Sequence, residues 1–333
     1  MTTLREVADR SGVSTATVSY VLNNTRYVSP VLRSKVLAAV QETGYRPNSL
    51  ARSLRCKRTH TLGLIVSDVV NPFFTEVARG AEDKASQLGF SIVLCNSDED
   101  VGKEQHYVEL LLDKQIDGLI IAPSPGEHSF LEPLRSSGFP TVLVNRSLPG
   151  FSLTTIMVDN ERATYDATEH LISHGHSDIA ALLSLPGSRL TAERQLGYES
   201  ALRDHGLEVR FDLMVNGLST VEGGAEASKA LMSRSNPPTA IISMSTLMTL
   251  GALRAFKEMG VKCPEQVALV GFGEAIWSSV TDPPLTAIAQ PAKAIGAGAV
   301  DLVEGLISSP PSGRPELRVM PCELIIRRSC GCQ

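Results

Sequence analysis

From Thr61 onward the chain alternates short unbroken apolar runs with amphipathic stretches, and this alternation restricts the fold more than any other feature. The runs are Leu62–Val66, Ile92–Cys95, Leu119–Ala122, Val142–Val144, Ile179–Leu183, Ala240–Ser243 and Val267–Gly271. Stretches with helical period lie between them, over 75–88, 104–114, 160–173, 192–205 and 247–259. A strand that is apolar on both faces must be covered on both, which implies parallel sheets layered between helices. Ligands in such sheets sit at the carboxyl ends of the strands, so the residues just after each run are the candidates for a site. A chain of 333 residues has room for two domains and needs neither disulfides nor metal for its core. Its 43% hydrophobic and 20% charged residues exclude disorder as the main state. No apolar run reaches the ~18 residues of a membrane helix. The N-terminus lacks a signal-peptide stretch and none of the six cysteines forms a CxxC pair, so a reduced, cytoplasmic location is expected, with no membrane partner.

The first sixty residues have a different texture. They hold ten Lys/Arg against three Asp/Glu, or +7, while the remainder carries −12. A small basic head on an acidic body points to a polyanion met by the head alone. Thr3-Leu4-Arg5-Glu6 is a capping box, followed by Leu4, Val7 and Ala8 on one helical face. Gly12 breaks that helix. Ser14 caps a second whose inner face is Val18, Val21 and Leu22, and Ser29-Pro30 opens a third with the stripe Leu32, Val36 and Val40, ended by Gly44. Two short helices across a Gly-containing turn, closed by a third, form a helix-turn-helix unit. Beyond Pro47, Asn48 can cap about two turns with Leu50, Ala51 and Leu54 on one side. So short a helix needs a partner to stay folded.

The order and spacing of several motifs resemble the LacI/GalR family of bacterial transcription repressors along nearly the whole chain. They are Leu4-Arg5-Glu6-Val7-Ala8, Val13-Ser14-Thr15-Ala16-Thr17-Val18-Ser19, Gly44-Tyr45-Arg46-Pro47-Asn48 and Leu50-Ala51-Arg52-Ser53-Leu54. Asn71-Pro72-Phe73-Phe74, Gln115-Ile116-Asp117-Gly118-Leu119-Ile120, Gly197-Tyr198 and Val270-Gly271-Phe272 follow. The resemblance implies an α/β core of two lobes with parallel sheets, like periplasmic sugar-binding proteins, behind a small all-α helix-turn-helix headpiece. The expected boundaries are 1–46 for the headpiece, 47–60 for a hinge helix and 61–333 for an effector-binding and dimerisation core. Within the core, one lobe takes about 61–160 plus 291–320, and the other about 161–290 plus 321–333.

By the same resemblance, Thr15, Ala16 and Tyr20 touch base edges in the major groove, while Ser14, Thr17, Ser19 and Asn23 contact phosphates. Tyr20 stands where the family commonly has Arg, so the family's usual half-site is in doubt at that base. Leu54 matches the hinge leucine that wedges into the minor groove. Asn48, Ala51 and Arg55 join it among the expected DNA contacts. For the effector, the matching positions are Asn71, Phe73, Phe74, Asn145, Arg146, Arg189, Arg194, Ser245 and Gln290, with Glu274 and Trp277 as further candidates. Of the arginines, Arg194 is the one most readily taken for a surface ion pair. Ser245-Thr246 and Gly273-Glu274 replace acidic pairs of the family. This suggests a pocket more positive than usual and hence an anionic effector such as a sugar acid or sugar phosphate.

Other features read plainly. His174-Gly175-His176 looks like a helix end capped by Gly, and Cys330-Gly331-Cys332 like frayed terminal thiols. No metal or cofactor is expected. An enzyme would want GxSxG, a phosphate loop or a nucleophile–His pair, and none is found. The expected function is a sequence-specific DNA-binding transcriptional regulator of repressor type, a homodimer on a pseudo-palindromic operator, switched by a sugar or sugar acid. The chain ends without a leucine heptad tail, which suggests a dimer and not a tetramer. The alternatives are a core that answers to a partner protein or nucleoside, and a sugar-binding protein without DNA function.

Overall fold

The structure is a computed structural model that describes residues 2–24, 26–45, 58–148, 150–309 and 314–332. The chain divides into two compact units, Met1–Thr59 and His60–Gln333.

In the first unit, α1 (Leu4–Ser11), α2 (Thr15–Asn23) and α3 (Pro30–Thr43) enclose a core of Val7, Ala8, Val18, Val21, Val36 and Ala39. The capping box forms in both directions: the Thr3 side chain accepts from the Glu6 amide, and the Glu6 carboxylate accepts from the Thr3 amide, each at 3.3 Å. Gly12, at φ 66°, takes the left-handed conformation that ends α1 and turns the chain toward α2. The expected stripe on α3 is shifted. Val36 and Ala39 point inward, Val40 packs at the margin and Leu32 is exposed. At 14 residues, α3 outruns the 8-residue α1 and 9-residue α2 that cover it, so only its middle turns are buried. The hinge candidates Asn48, Ala51, Leu54 and Arg55 lie outside the described residues.

The second unit has two lobes, each built on a six-stranded sheet. The first sheet runs β11 (Leu317–Met320), β5 (Thr154–Val158), β4 (Thr141–Val144), β3 (Gly118–Ile121), β1 (Thr61–Val66) and β2 (Ser91–Asn96), with every pairing parallel. Its helices are α4 (Pro72–Gln87), α5 (Val101–Asp113), α6 (Glu132–Ser137) and α11 (Ala292–Ser308). The second sheet runs β12 (Glu323–Ile325), β10 (Thr286–Ala289), β9 (Ala268–Phe272), β8 (Ala240–Ser243), β6 (Ile179–Leu183) and β7 (Met214–Asn216). Only β12 is antiparallel there. It is flanked by α7 (Asn160–Ser173), α8 (Arg189–Asp204), α9 (Val221–Met232) and α10 (Thr246–Met259). The chain passes between the lobes after β5, after β10 and after β11, so the lobes are joined at one edge and face each other across their strand ends.

Packing is tightest where α4 meets α11. A Cβ on Gly80 would lie 1.9 Å from the Lys293 carbonyl oxygen, and one on Gly296 would lie 1.9 Å from that of Val77. Glycine at both places lets the backbones touch, and Phe73, Phe74, Ile295 and Val303 close the core around them. Two expectations need correcting. The β2 edge is not covered on both faces, since Val93 and Leu94 stay 39% and 47% exposed. Nor does the 328–332 segment fray: Cys330 is wholly buried, and the Ser329 hydroxyl donates to the Leu269 carbonyl at 2.6 Å.

Candidate functional site

A cleft of about 350 Å³ opens among the strand ends of the two lobes. The first lobe contributes Ser67 and Asp68 after β1, Asp98 and Glu99 after β2, and Asn145 and Arg146 after β4. The second contributes Ser184 and Leu185 after β6, Leu218 after β7, Ser245 and Thr246 after β8, and Gln290 after β10. Parallel strands all deliver their carboxyl ends to one side, so polar loop residues distant in sequence converge there.

The floor is aromatic. Phe73 and Phe74 meet edge to face, with ring centroids 5.0 Å apart at 73°. Asn71 caps α4 by accepting from the Phe73 amide at 3.1 Å, which fixes where the rings begin. Opposite them, the Arg194 guanidinium lies 3.4 Å over the centroid of Phe272. Arg194 is 5% exposed and donates to the Asn160 side-chain oxygen at 2.9 Å and the Met244 carbonyl at 2.6 Å. Burial pulls its guanidinium down to about 9, which leaves it charged at neutral pH. The expectation of a surface ion pair is thus reversed between two arginines. Arg189 is the exposed one, paired with Glu193 at 2.9 Å and outside the cleft, because it begins α8 on the solvent side while Arg194 points inward.

Arg146 makes a fork to Glu99, with both nitrogens 2.6 Å from a carboxylate oxygen, and donates to the Pro123 carbonyl at 2.9 Å. Asn145 takes a left-handed φ of 67° and is 5% exposed. Asp68 and Asp98 add further negative charge, and the Lys103 ammonium beside Asp98 holds that carboxyl below its usual range. With Asp68, Asp98 and Glu99 against Arg146 and Arg194, the lining is not electropositive, contrary to the expectation from Ser245-Thr246 and Gly273-Glu274. The replacement carboxylates come from the ends of β1 and β2. Sequence reasoning missed those residues, although the rule that ligands sit at strand ends would have reached Ser67 and Asp68.

Four buried polar atoms on this lining have no hydrogen-bond partner: Ser67 Oγ, Asn145 Oδ1, Arg146 Nε and Gln290 Nε2. An unpartnered buried polar group costs about 1–3 kcal/mol, so four on residues that line one cavity make it a candidate place for a polar molecule to complete the network. The site therefore brings together Asn71, Phe73, Phe74, Asn145, Arg146, Arg194, Ser245 and Gln290. It leaves out Arg189, Glu274 and Trp277. Glu274 is forked by Arg327 at 2.7 and 3.0 Å in a separate groove, and Trp277 packs on the second-lobe core.

On the headpiece, α2 presents Ser14, Thr15, Ala16 and Asn23 to solvent, with Thr17, Ser19 and Tyr20 half-buried. The Ser14 hydroxyl caps α2 by accepting from the Thr17 amide at 3.1 Å, and the Asn23 amide donates to the Ser19 carbonyl at 2.9 Å. The Arg26 guanidinium stacks 5.1 Å from the Tyr20 ring centroid, so a basic group accompanies Tyr20 where arginine was expected. An exposed helix face of small hydroxyl and methyl groups flanked by basic residues is suited to a DNA groove.

Comparison with known proteins agrees with this arrangement. Residues 3–48 match the model for bacterial regulatory proteins of the lacI family, and residues 59–327 match that for periplasmic binding proteins and the sugar binding domain of the LacI family. The HTH-type transcriptional repressor PurR of Photobacterium profundum is 33% identical over 331 residues, covering 99% of this chain and 98% of the relative. Catabolite control protein A of Priestia megaterium is 36% identical over 302 residues, covering 90% and 91%. Among solved structures, the lac repressor dimer bound to operator and the anti-inducer ONPF superposes with a TM-score of 0.88 at 27% identity, over 99% of each chain. A complex of the transcriptional regulator CelR with cellobiose gives 0.74 at 30% identity, covering 99% of this chain and 100% of that one. The chain belongs to the lacI family of bacterial transcriptional regulators and joins a DNA-binding headpiece to an effector-binding core.

Proposed function

We propose that this protein is a repressor that binds a pseudo-palindromic operator as a homodimer and is switched by a neutral, polyhydroxylated ring compound of monosaccharide size. The observation that carries the effector class is the set of unpartnered atoms Ser67 Oγ, Asn145 Oδ1, Arg146 Nε and Gln290 Nε2 above an aromatic floor. Sugar hydroxyls both donate and accept, so they can satisfy such a mixed set. A lining with three carboxylates and two guanidinium groups offers an anion no surplus of positive charge. The regulator acts by binding and not by catalysis, as do the transcriptional regulators related to it.

Each headpiece would take one half-site, with Thr15, Ala16 and Tyr20 toward base edges and Ser14, Thr17, Ser19 and Asn23 toward phosphates. Residues 47–60 would form the hinge, with Leu54 as a minor-groove wedge beside Asn48, Ala51 and Arg55. Large apolar side chains left in solvent suit burial against a second copy. Ile276 and Val280 are 93% and 79% exposed, and Val93 and Leu94 lie on the free β2 edge. Effector binding would change how the lobes close and shift operator affinity by a coupling energy of about 1–3 kcal/mol.

Calorimetry with neutral monosaccharides, sugar acids and nucleosides, followed by operator anisotropy with the best binder, tests this reading. A neutral sugar that binds and alters operator affinity is the expected result. Sugar acids binding while neutral sugars do not would overturn the effector class, and nucleoside binding would favour stacking on Phe73 and Phe74 instead. Failure to bind any operator sequence at low salt would overturn the repressor reading. Tyr20→Arg should shift preference toward guanine at one operator position by about 1–3 kcal/mol, read by competition between operator variants.

A further inference from the structure

The second lobe holds a cluster of donor atoms that shares no residue with the cleft. His170 lies in the last turn of α7, and His174 follows four residues later, on the same face. Against them sit Cys330 and Cys332, carried by the turn Arg328–Cys330 and the residues after it. Cys330 Sγ is 3.3 Å from His170 Nε2 and 3.2 Å from Cys332 Sγ. Cys332 Sγ is 3.6 Å from His170 Nε2 and 3.1 Å from His174 Nε2.

We propose that His170, Cys330 and Cys332, whose donor atoms all lie within 4.8 Å of one another, bind a divalent zinc ion that staples residues 328–332 to α7, with His174, at Cys332, turning in as the fourth ligand of a His2Cys2 shell. Metal–sulfur bonds of about 2.3 Å and metal–nitrogen bonds of about 2.0–2.1 Å give tetrahedral edges of roughly 3.3–3.8 Å, and the three contacts among His170 Nε2, Cys330 Sγ and Cys332 Sγ, at 3.2–3.6 Å, are close to them. Thiolate and imidazole donors select zinc over magnesium or calcium, which prefer oxygen.

The surroundings orient the ligands as a metal site requires. The His174 Nδ1 lies 2.8 Å from the His170 carbonyl oxygen, which places the ring proton on Nδ1 and leaves the Nε2 lone pair facing Cys332 Sγ. The buried Thr286 hydroxyl lies 3.1 Å from Cys330 Sγ and can donate to a thiolate. With His174 as the fourth ligand, protein groups close the coordination shell, so the ion holds structure and has no open position for chemistry. On binding, each thiol releases its proton to solvent and each imidazole binds neutral through Nε2.

The test uses the full chain, purified under reducing conditions, loaded with zinc chloride and freed of excess metal. Elemental analysis should find one zinc per chain. Cobalt substitution should give the visible bands of a tetrahedral ion and a near-ultraviolet thiolate charge-transfer band. Cys332→Ser and His174→Gln, both at solvent-accessible positions, should each weaken cobalt binding at least tenfold with the circular dichroism unchanged. Cys263→Ser, a nearby thiol outside the cluster, should leave the stoichiometry at one. Wild-type protein without stoichiometric metal would overturn the proposal, as would binding unaltered in the Cys332→Ser/His174→Gln double variant. So would isolation of a metal-free chain with a Cys330–Cys332 disulfide that does not take up zinc after reduction.

Discussion

The two walls of the cleft are built from the same kind of strand end, yet several of their polar groups are in opposite states. On the first-lobe wall, Ser67 Oγ, Asn145 Oδ1 and Arg146 Nε are buried and unpartnered. On the second-lobe wall the corresponding groups are already engaged. Arg194 donates to Asn160 and Met244, the Ser184 hydroxyl donates to the Met244 carbonyl at 2.9 Å, and the Thr246 hydroxyl to the Phe272 carbonyl at 3.2 Å. A group that is already satisfied gains little from a ligand, whereas an orphan gains a whole hydrogen bond. We infer that recognition resides on the first wall. The second would supply a fixed surface against which the ligand is held, and Gln290, at the crossover out of β10, is its one unpartnered contribution among the described residues.

Arg194→Ala should break this contrast most severely. It removes the cation stacked on Phe272, leaves the Asn160 side-chain oxygen without its donor, at about 1–3 kcal/mol, and reduces the Met244 carbonyl to its bond from Ser184. Denaturant unfolding should show the core destabilised by roughly 2–5 kcal/mol, with effector affinity lost as a consequence. A variant as stable as wild type but blind to effector would move Arg194 from scaffold to ligand contact and erase the distinction between the walls.

Asn145→Gly is the complementary change. Glycine keeps the left-handed φ of 67° without strain, so the loop retains its course while the unpartnered acceptor disappears. Affinity for the sugar found by calorimetry should fall about ten- to fiftyfold, or ~1.4–2.3 kcal/mol, while the unfolding midpoint stays near wild type. Unaltered affinity would show that the first wall is not where the effector is read.

Much of this architecture was legible in the sequence, and the parts that were not share a physical cause. The seven apolar runs all became strands because their residues are buried on both faces, with the exposed β2 edge as the exception. The helix α11 was not among the helical stretches expected, and its Gly296, Gly298 and Gly305 lower its helix propensity. Its Gly296 is there to let α4 approach, and helix propensity carries no information about that contact. The same holds for α9, where a Cβ on Gly224 would meet the Met248 backbone at 2.4 Å. Strand β5 was hidden by Thr154 and Thr155, hydroxyl residues buried against neighbouring strands. In the cleft, motif positions located Asn145, Arg146 and Gln290 but not the carboxylates of Asp98 and Glu99. The cluster at Cys330 and Cys332 was invisible for a different reason, since its partners lie some 160 residues away and only the fold brings them together.

The finest test of the two walls uses one atom on each. Ser67 and Ser184 are both buried serines on the cleft, at 0% and 3% exposure, but only Ser184 has spent its hydroxyl. Ser184→Ala should cost about 0.5–1.5 kcal/mol of stability by removing the bond to Met244, and effector affinity should hardly change. Ser67→Ala removes an orphan, so stability should hold or rise slightly while effector affinity drops about three- to tenfold. The two substitutions delete the same oxygen from the same residue type, so side-chain size and chemistry cancel in the comparison. Opposite patterns in unfolding and calorimetry can then come only from whether the fold or the ligand uses the hydroxyl. If both variants lost stability alone, Ser67 would have a partner within the protein, and the first wall would be satisfied by the fold in the same way as the second.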